Sequence, residues 1–120
     1  MSTAALHATA FYREVAASGR VYTLRNAEGC PSASTPDGKC AVPFWSSRSR
    51  AEVIAQTVPA YAGYEVEEIP WDWFCKHWAE DLAKNGFGVG LNWHGPRAQG
   101  YDREPRAVVE SVRRYAESGG

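Results

Sequence analysis

The chain is expected to form a single α/β domain, a four-stranded mixed sheet covered by about four helices in the order α-β-β-α-β-α-β-α, with an α+β arrangement as the alternative. Three observations carry this reading. A length of 120 residues suits one domain and not two. Apolar residues recur at spacings of three and four in some stretches and at two in others, and these stretches alternate. Residues 69–95 hold an amphipathic helix, a glycine stop and a strand, with four of the five tryptophans.

Ser2 or Thr3 can cap a first helix that runs to about Ala17, with Ala4, Ala8, Phe11, Tyr12 and Val15 on its apolar stripe and Ser18-Gly19 closing it. Arg20 to Leu24 alternates as a strand, with Val21 and Thr23 opposite Tyr22 and Leu24. Residues 30–40, CPSASTPDGKC, read as a projecting loop, because Pro31, Pro36 and Asp37-Gly38 exclude helix. Ala41 to Trp45 follows as a strand, and Pro43 argues for an edge position or a bulge. The first two strands are expected to pair antiparallel.

Ser46-Ser47, or Ser49 with Glu52, opens a second helix that buries Ala51, Ile54, Ala55 and Val58 and ends between Pro59 and Gly63. Tyr64 to Ile69 is a third, acid-rich strand suited to an edge. The central helix starts at Pro70 and places Trp71, Phe74, Trp78 and Leu82 on one face, until Asn85-Gly86 stops it. In the fourth strand Phe87, Val89, Leu91 and Trp93 share one face, opposite Gly86, Gly88, Gly90 and Asn92. Strands three and four with the helix between them are expected to form a parallel βαβ unit. Asp102 can cap the last helix, with Pro105 in its first turn and Val108, Val109, Val112, Tyr115 and Ala116 inward. Its exposed pairs are Arg106–Glu110 and Glu110–Arg114, and residues 118–120 are expected to fray.

The segments VYTL, EG, DGK, AVPFWSSRSRAE and VEEIPWDWFCKHWAEDLAKNGFGVGLNW, in this order, resemble a bacterial family known only as domain of unknown function 2750. That family shows an acidic-glycine turn, then P-x-W-S before a helix, then G-V-N-W or a close variant. Here these fall at Glu28-Gly29, Pro43-Phe44-Trp45-Ser46 and Gly90-Leu91-Asn92-Trp93. The resemblance spans roughly residues 10–115, omits Cys30 and Cys40, and implies a small bacterial cytoplasmic domain without assigning a catalytic residue.

Composition narrows the function. Thirteen Lys+Arg against fourteen Asp+Glu give a net charge of -1, so the basic footprint of a nucleic-acid binder is missing. No apolar run reaches the ~18 residues of a membrane span. Arg13 and Glu14 interrupt the alanine-rich start, so a secretory signal is not expected and the compartment is read as the cytoplasm. Three irregularly spaced cysteines, Cys30, Cys40 and Cys75, are read as reduced thiols, with a Cys30–Cys40 pairing as the alternative. GFGVG lies within a strand and is not a phosphate loop.

Three functional readings stand. The first is a non-enzymatic protein-binding or regulatory module, immunity-like by analogy. Its contact residues would be Trp45 and Trp73, as interface anchors, and Asn92, His94 and Arg97 at a carboxyl strand end. The second is a small hydrolase or metal-dependent enzyme using His77 and Asp81, four apart on one helix face, together with His94. The third is a small-molecule site floored by the glycine face of the fourth strand. Each has a plain counterpart: packed tryptophans, a surface His–Asp hydrogen bond, a solvated loop, or a helix seated on the glycines. No cofactor or metal is called for, and the oligomeric state stays open.

Overall fold

The computed structural model describes residues 3–35 and 38–118. The possible cap at Ser2, the loop tip at Pro36-Asp37 and the terminal Gly119-Gly120 lie outside them. Helix α1 (Thr3–Ser18) leads into strand β1 (Arg20–Arg25), a two-residue strand β2 (Ala33–Ser34) and strand β3 (Cys40–Phe44). Helix α2 (Arg48–Thr57) and a 3-10 turn (Pro59–Tyr61) precede strand β4 (Glu65–Pro70). The central helix α3 covers residues 71–84, then come strand β5 (Phe87–Leu91), the two-residue β6 (Asp102–Arg103) and helix α4 (Pro105–Glu117).

The α/β expectation holds, with four helices on mixed sheet among the described residues. The strand pairings differ from the expected ones. β4 pairs antiparallel with β1, and the parallel partner of β5 is β3, so strands β4 and β5 do not form the βαβ unit. The crossover linking the parallel pair is longer, running through α2, β4 and α3. The antiparallel pairing expected between β1 and β3 shrinks to one bridge, Tyr22 with Trp45. β2, β3, β5 and β6 make the four-stranded mixed sheet. Within 30–40, Ala33 and Ser34 therefore join that sheet: Ala33 lies opposite Ala41 and Ser34 opposite Cys40.

Pro43 sits inside β3 and not at an edge. Residues 41, 43 and 45 direct their backbone away from β5, since Ala41 pairs with β2 and Trp45 with Tyr22. Pro43 falls in the gap between those two pairings, where a missing N–H leaves no ladder bond unmade. Its carbonyl accepts a 2.8 Å bond from the buried Thr23 hydroxyl.

Two apolar cores form, one per sheet face. The first joins Phe11 and Val15 of α1, Phe74 and Leu82 of α3, and Val108 and Val112 of α4 to Val42, Phe44, Val89 and Leu91. Phe44 meets the Phe74 and Trp78 rings edge-on at 5.1 and 5.6 Å, and Trp71 stacks on Phe74 at 4.7 Å. The second core lies under α2, where Ala51 and Ile54 pack with Leu24, Trp45, Tyr61 and Trp93.

Trp93 belongs to that second core and does not share a face with Leu91. Asn92 adopts a left-handed conformation, φ 51°, which breaks the strand alternation and folds the next side chain back across the sheet. The indole then lies against Gly90, where a Cβ would meet its ring carbon at 2.5 Å. The glycine of the strand makes room for the tryptophan of the same strand.

The helix ends follow the expected chemistry with one exception. Gly19, at φ 71°, closes α1, and its N–H bonds the Val15 carbonyl at 2.8 Å. Ser47 caps α2 by accepting from the Arg50 N–H at 3.3 Å. The last helix begins after Glu104 with Pro105 first, while Asp102 lies in β6 and Glu104 takes the N-cap position. Glu110–Arg114 forms at 3.5 Å, whereas Arg106 reaches across to Glu80 of α3.

Candidate functional site

Two places gather chemistry. The first is the carboxyl end of the parallel pair β3–β5, where the two motifs containing Trp45-Ser46 and Asn92-Trp93 meet. The Trp45 indole N–H donates to the Trp93 carbonyl at 2.8 Å. Asn92 is 1% exposed, and its Oδ1 accepts from the Ser46 N–H at 2.8 Å. Its Nδ2 donates to the Ser46 hydroxyl at 2.9 Å and to the His7 carbonyl at 3.2 Å. The Ser46 hydroxyl donates onward to Glu14 at 2.7 Å. Arg50 grips the same carboxylate through Nε at 3.2 Å and NH2 at 2.9 Å.

Burial would push the Glu14 carboxyl up, but the hydrogen bonds from Arg50 and Ser46 and the charges of Arg50 and Arg13 outweigh it, and Glu14 ends below its usual value. The His7 and His94 rings stack at 4.0 Å. A guanidinium only donates, so the 3.3 Å contact from Arg50 makes His7 Nδ1 an acceptor and keeps the ring neutral. Burial first, then His94 and Arg50, lowers the His7 pKa against an upward pull from Glu14.

This network ties α1 and α2 to both strand ends. Its members are spent on one another, and Ser46 is buried at 3% exposure. It reads as a structural clasp with no nucleophile presented to solvent. His7, Glu14, Ser46 and Arg50 carried no sequence signal for it, because the chain separates them by up to 85 residues from Asn92. Arg97 stands exposed in the turn that follows, and Trp45 is fully buried. Trp45 therefore offers no surface to a partner; packing under α2 has claimed its ring.

The second place is the outer face of α3. The helix widens over Phe74–Trp78 into a π turn, in which the Ala79 N–H reaches the Phe74 carbonyl. Such turns occur mainly as single interruptions, frequently at functional sites. On this face Trp73 is 53% exposed, and its ring lies 3.9 Å from that of His77. Beside it is a cleft of about 610 Å³ between β4 and α3, whose walls include Ile69, Pro70, Trp73 and Trp78, with Glu67, Glu68 and Asp72 at the rim. Glu67 is held by Arg25 at 2.8 Å, and Arg25 also lies 6.0 Å over the Trp78 ring.

His77 and Asp81 line a neighbouring cleft of about 410 Å³ that reaches Phe87 at the start of β5. His94 lies beyond the other end of that strand, roughly 20 Å of extended chain away. His94 does not line that cleft and stacks on His7 instead, so the three do not share one site as the catalytic reading requires. Among the described residues no group of three or more His, Cys, Asp or Glu could hold a metal ion. The three cysteines are unbridged, and Cys30 and Cys75 are partly buried. Burial pushes the Cys30 thiol up, reinforced by Glu67 and opposed by Arg25.

The glycine face is covered only in part: Trp93 closes Gly90, while Gly86 and Gly88 line a cleft of about 1010 Å³ together with Asp102 and Arg103. No described helix is long and apolar enough to cross a membrane.

The model of a family described as "Protein of unknown function (DUF2750)" matches residues 8–112. No curated protein matches the sequence.

Proposed function

The chain belongs to the DUF2750 family, and from that premise we propose that it is a non-enzymatic protein-binding domain whose contact surface is the outer face of α3 around Trp73. The observation that carries this reading is the half-exposed indole of Trp73, set on a rigid helix at the lip of an aromatic cleft. Tryptophan in such a setting offers a large apolar area at little entropic cost and anchors many interfaces. Glu67 and Glu68 at the rim are already paired with Arg25, Arg20 and Arg48, so Asp72 is the rim carboxylate that suits a basic residue beside the partner's apolar anchor. A domain that works by occupancy needs no catalytic group, which is also what an immunity-like regulator would require.

The test is a pulldown from the native host with the wild-type domain, Trp73→Ala and Val53→Ala. Val53 is a second exposed apolar residue, at 54%, on α2. The reading expects a protein retained by the wild type and by Val53→Ala but lost with Trp73→Ala, each variant keeping its far-ultraviolet circular dichroism. A partner retained equally by all three would show that α3 is not the contact surface.

A further inference from the structure

We propose that the 410 Å³ cleft on the other side of Trp78 is a binding site for a small organic ammonium compound, its apolar body against Trp78, Leu82 and Phe87 and its charge at Asp81. The volume lies within the range of small-ligand sites. Val42, Leu82, Trp78 and Phe87 form an apolar and aromatic lining, with Ser32 and Asn85 as polar groups on the wall.

Charge selects the ligand class. Asp81 is the one carboxylate lining the cleft, and no lysine or arginine lines it. None of the ion pairs among the described residues uses Asp81. The nearby Arg25 is matched by its two bonds to Glu67, at 2.8 and 3.1 Å. The Cys30 thiol at the edge is pushed toward its neutral form by burial and does not add a competing anion. Aromatic faces beside a carboxylate favour a cation with an apolar stem over a neutral or anionic molecule. The π turn supplies the local geometry, since His77 and Trp78 lie at its carboxyl end and both line the cleft.

The site adjoins the partner surface without including Trp73, and ligand binding to the isolated domain tests it whether or not a protein partner exists. Trp78 is the wall between the two clefts. The probe is phenethylammonium chloride, titrated into the ¹⁵N-labelled domain and compared with 2-phenylethanol and sodium phenylacetate. A ligand of this size should bind in the millimolar range. The ammonium is expected to bind about fivefold tighter than the alcohol at low salt, and phenylacetate more weakly than either. Amide shifts should centre on residues 78, 82 and 87. Asp81→Asn should bring the ammonium down to the alcohol's affinity, while Phe87→Ala should weaken both alike. Equal binding of ammonium and alcohol to the wild type would overturn the proposal. So would shifts centred elsewhere, or none at about 20 mM ligand, well above the expected dissociation constant.

Discussion

Replacing Gly90 by alanine tests the packing on which the second core depends. A Cβ there would lie 2.5, 2.7 and 2.9 Å from Cε2, Cζ2 and Nε1 of Trp93. Ordinary carbon contacts need about 3.5 Å or more, so the indole must move by roughly 1 Å. It has little freedom to do so. Trp93 is 6% exposed, its N–H donates to the Tyr101 carbonyl at 3.0 Å, and its own carbonyl holds the Trp45 indole. Overpacking costs about 1–3 kcal/mol and a loosened hydrogen bond about 1 kcal/mol. Alanine returns about 0.4–1 kcal/mol by restricting the unfolded chain. The net loss is about 2 kcal/mol, which lowers the melting temperature by about 8 °C in a domain of this size. Gly88→Ala is the control. Its nearest contact is 3.3 Å, to a carboxylate oxygen of Asp102 at the end of a side chain, and a change within about 0.5 kcal/mol is expected. Urea unfolding of both variants gives the comparison. The reasoning fails if Gly90→Ala is as stable as the wild type, or if both alanines cost the same.

At Asn92, alanine should cost about 2–4 kcal/mol in the same assay, because two buried hydrogen bonds and a part-buried one are lost and the left-handed backbone is kept. Glycine should cost about 1 kcal/mol less than alanine, and the reverse order would remove the backbone account. His7 gives a pH signature. Its folded pKa lies below its unfolded value of 6.5, so its contribution is complete above that pH and is lost as pH falls from 6.5 through the folded pKa. His7→Phe should flatten the stability profile there, and an unchanged slope would contradict the clasp. Glu14, also lowered, loses its contribution only as pH falls below about 4.5, so Glu14→Gln should flatten that more acidic limb of the profile. Iodoacetamide at neutral pH should modify the exposed Cys40 before the partly buried Cys30 and Cys75, as read by peptide mass spectrometry.

Local periodicity made most elements legible. The Trp71, Phe74, Trp78, Leu82 stripe and the alternation of β1 and β5 follow directly from side-chain direction. Pairing was less legible, because the hydrophobic pattern of a strand does not name its neighbour. β4 carries glutamates that meet Arg20 and Arg25 of β1, and those cross-strand pairs become evident only when the two are set side by side. The π turn was hidden because a one-residue widening leaves the apolar stripe readable. At the candidate sites, Asn92 was singled out as a contact residue by its place at a strand end but is buried within the clasp, and Trp45 has the same residue type as Trp73 and opposite burial. Residue type and spacing alone could not separate an anchor from a core ring. The clasp of Glu14, Ser46, Arg50 and Asn92 joins four distant segments and depends on the completed fold.

The most direct test of where this domain makes contact is photocrosslinking in the native host. A photoreactive amino acid is placed at position 73 in one variant and at position 97 in another. Both positions are exposed, one on the aromatic face of α3 and the other in the turn after β5. The account predicts a discrete protein adduct from position 73 and none from position 97. An adduct from 97 alone, or from neither position in cells that express the native gene, would contradict it.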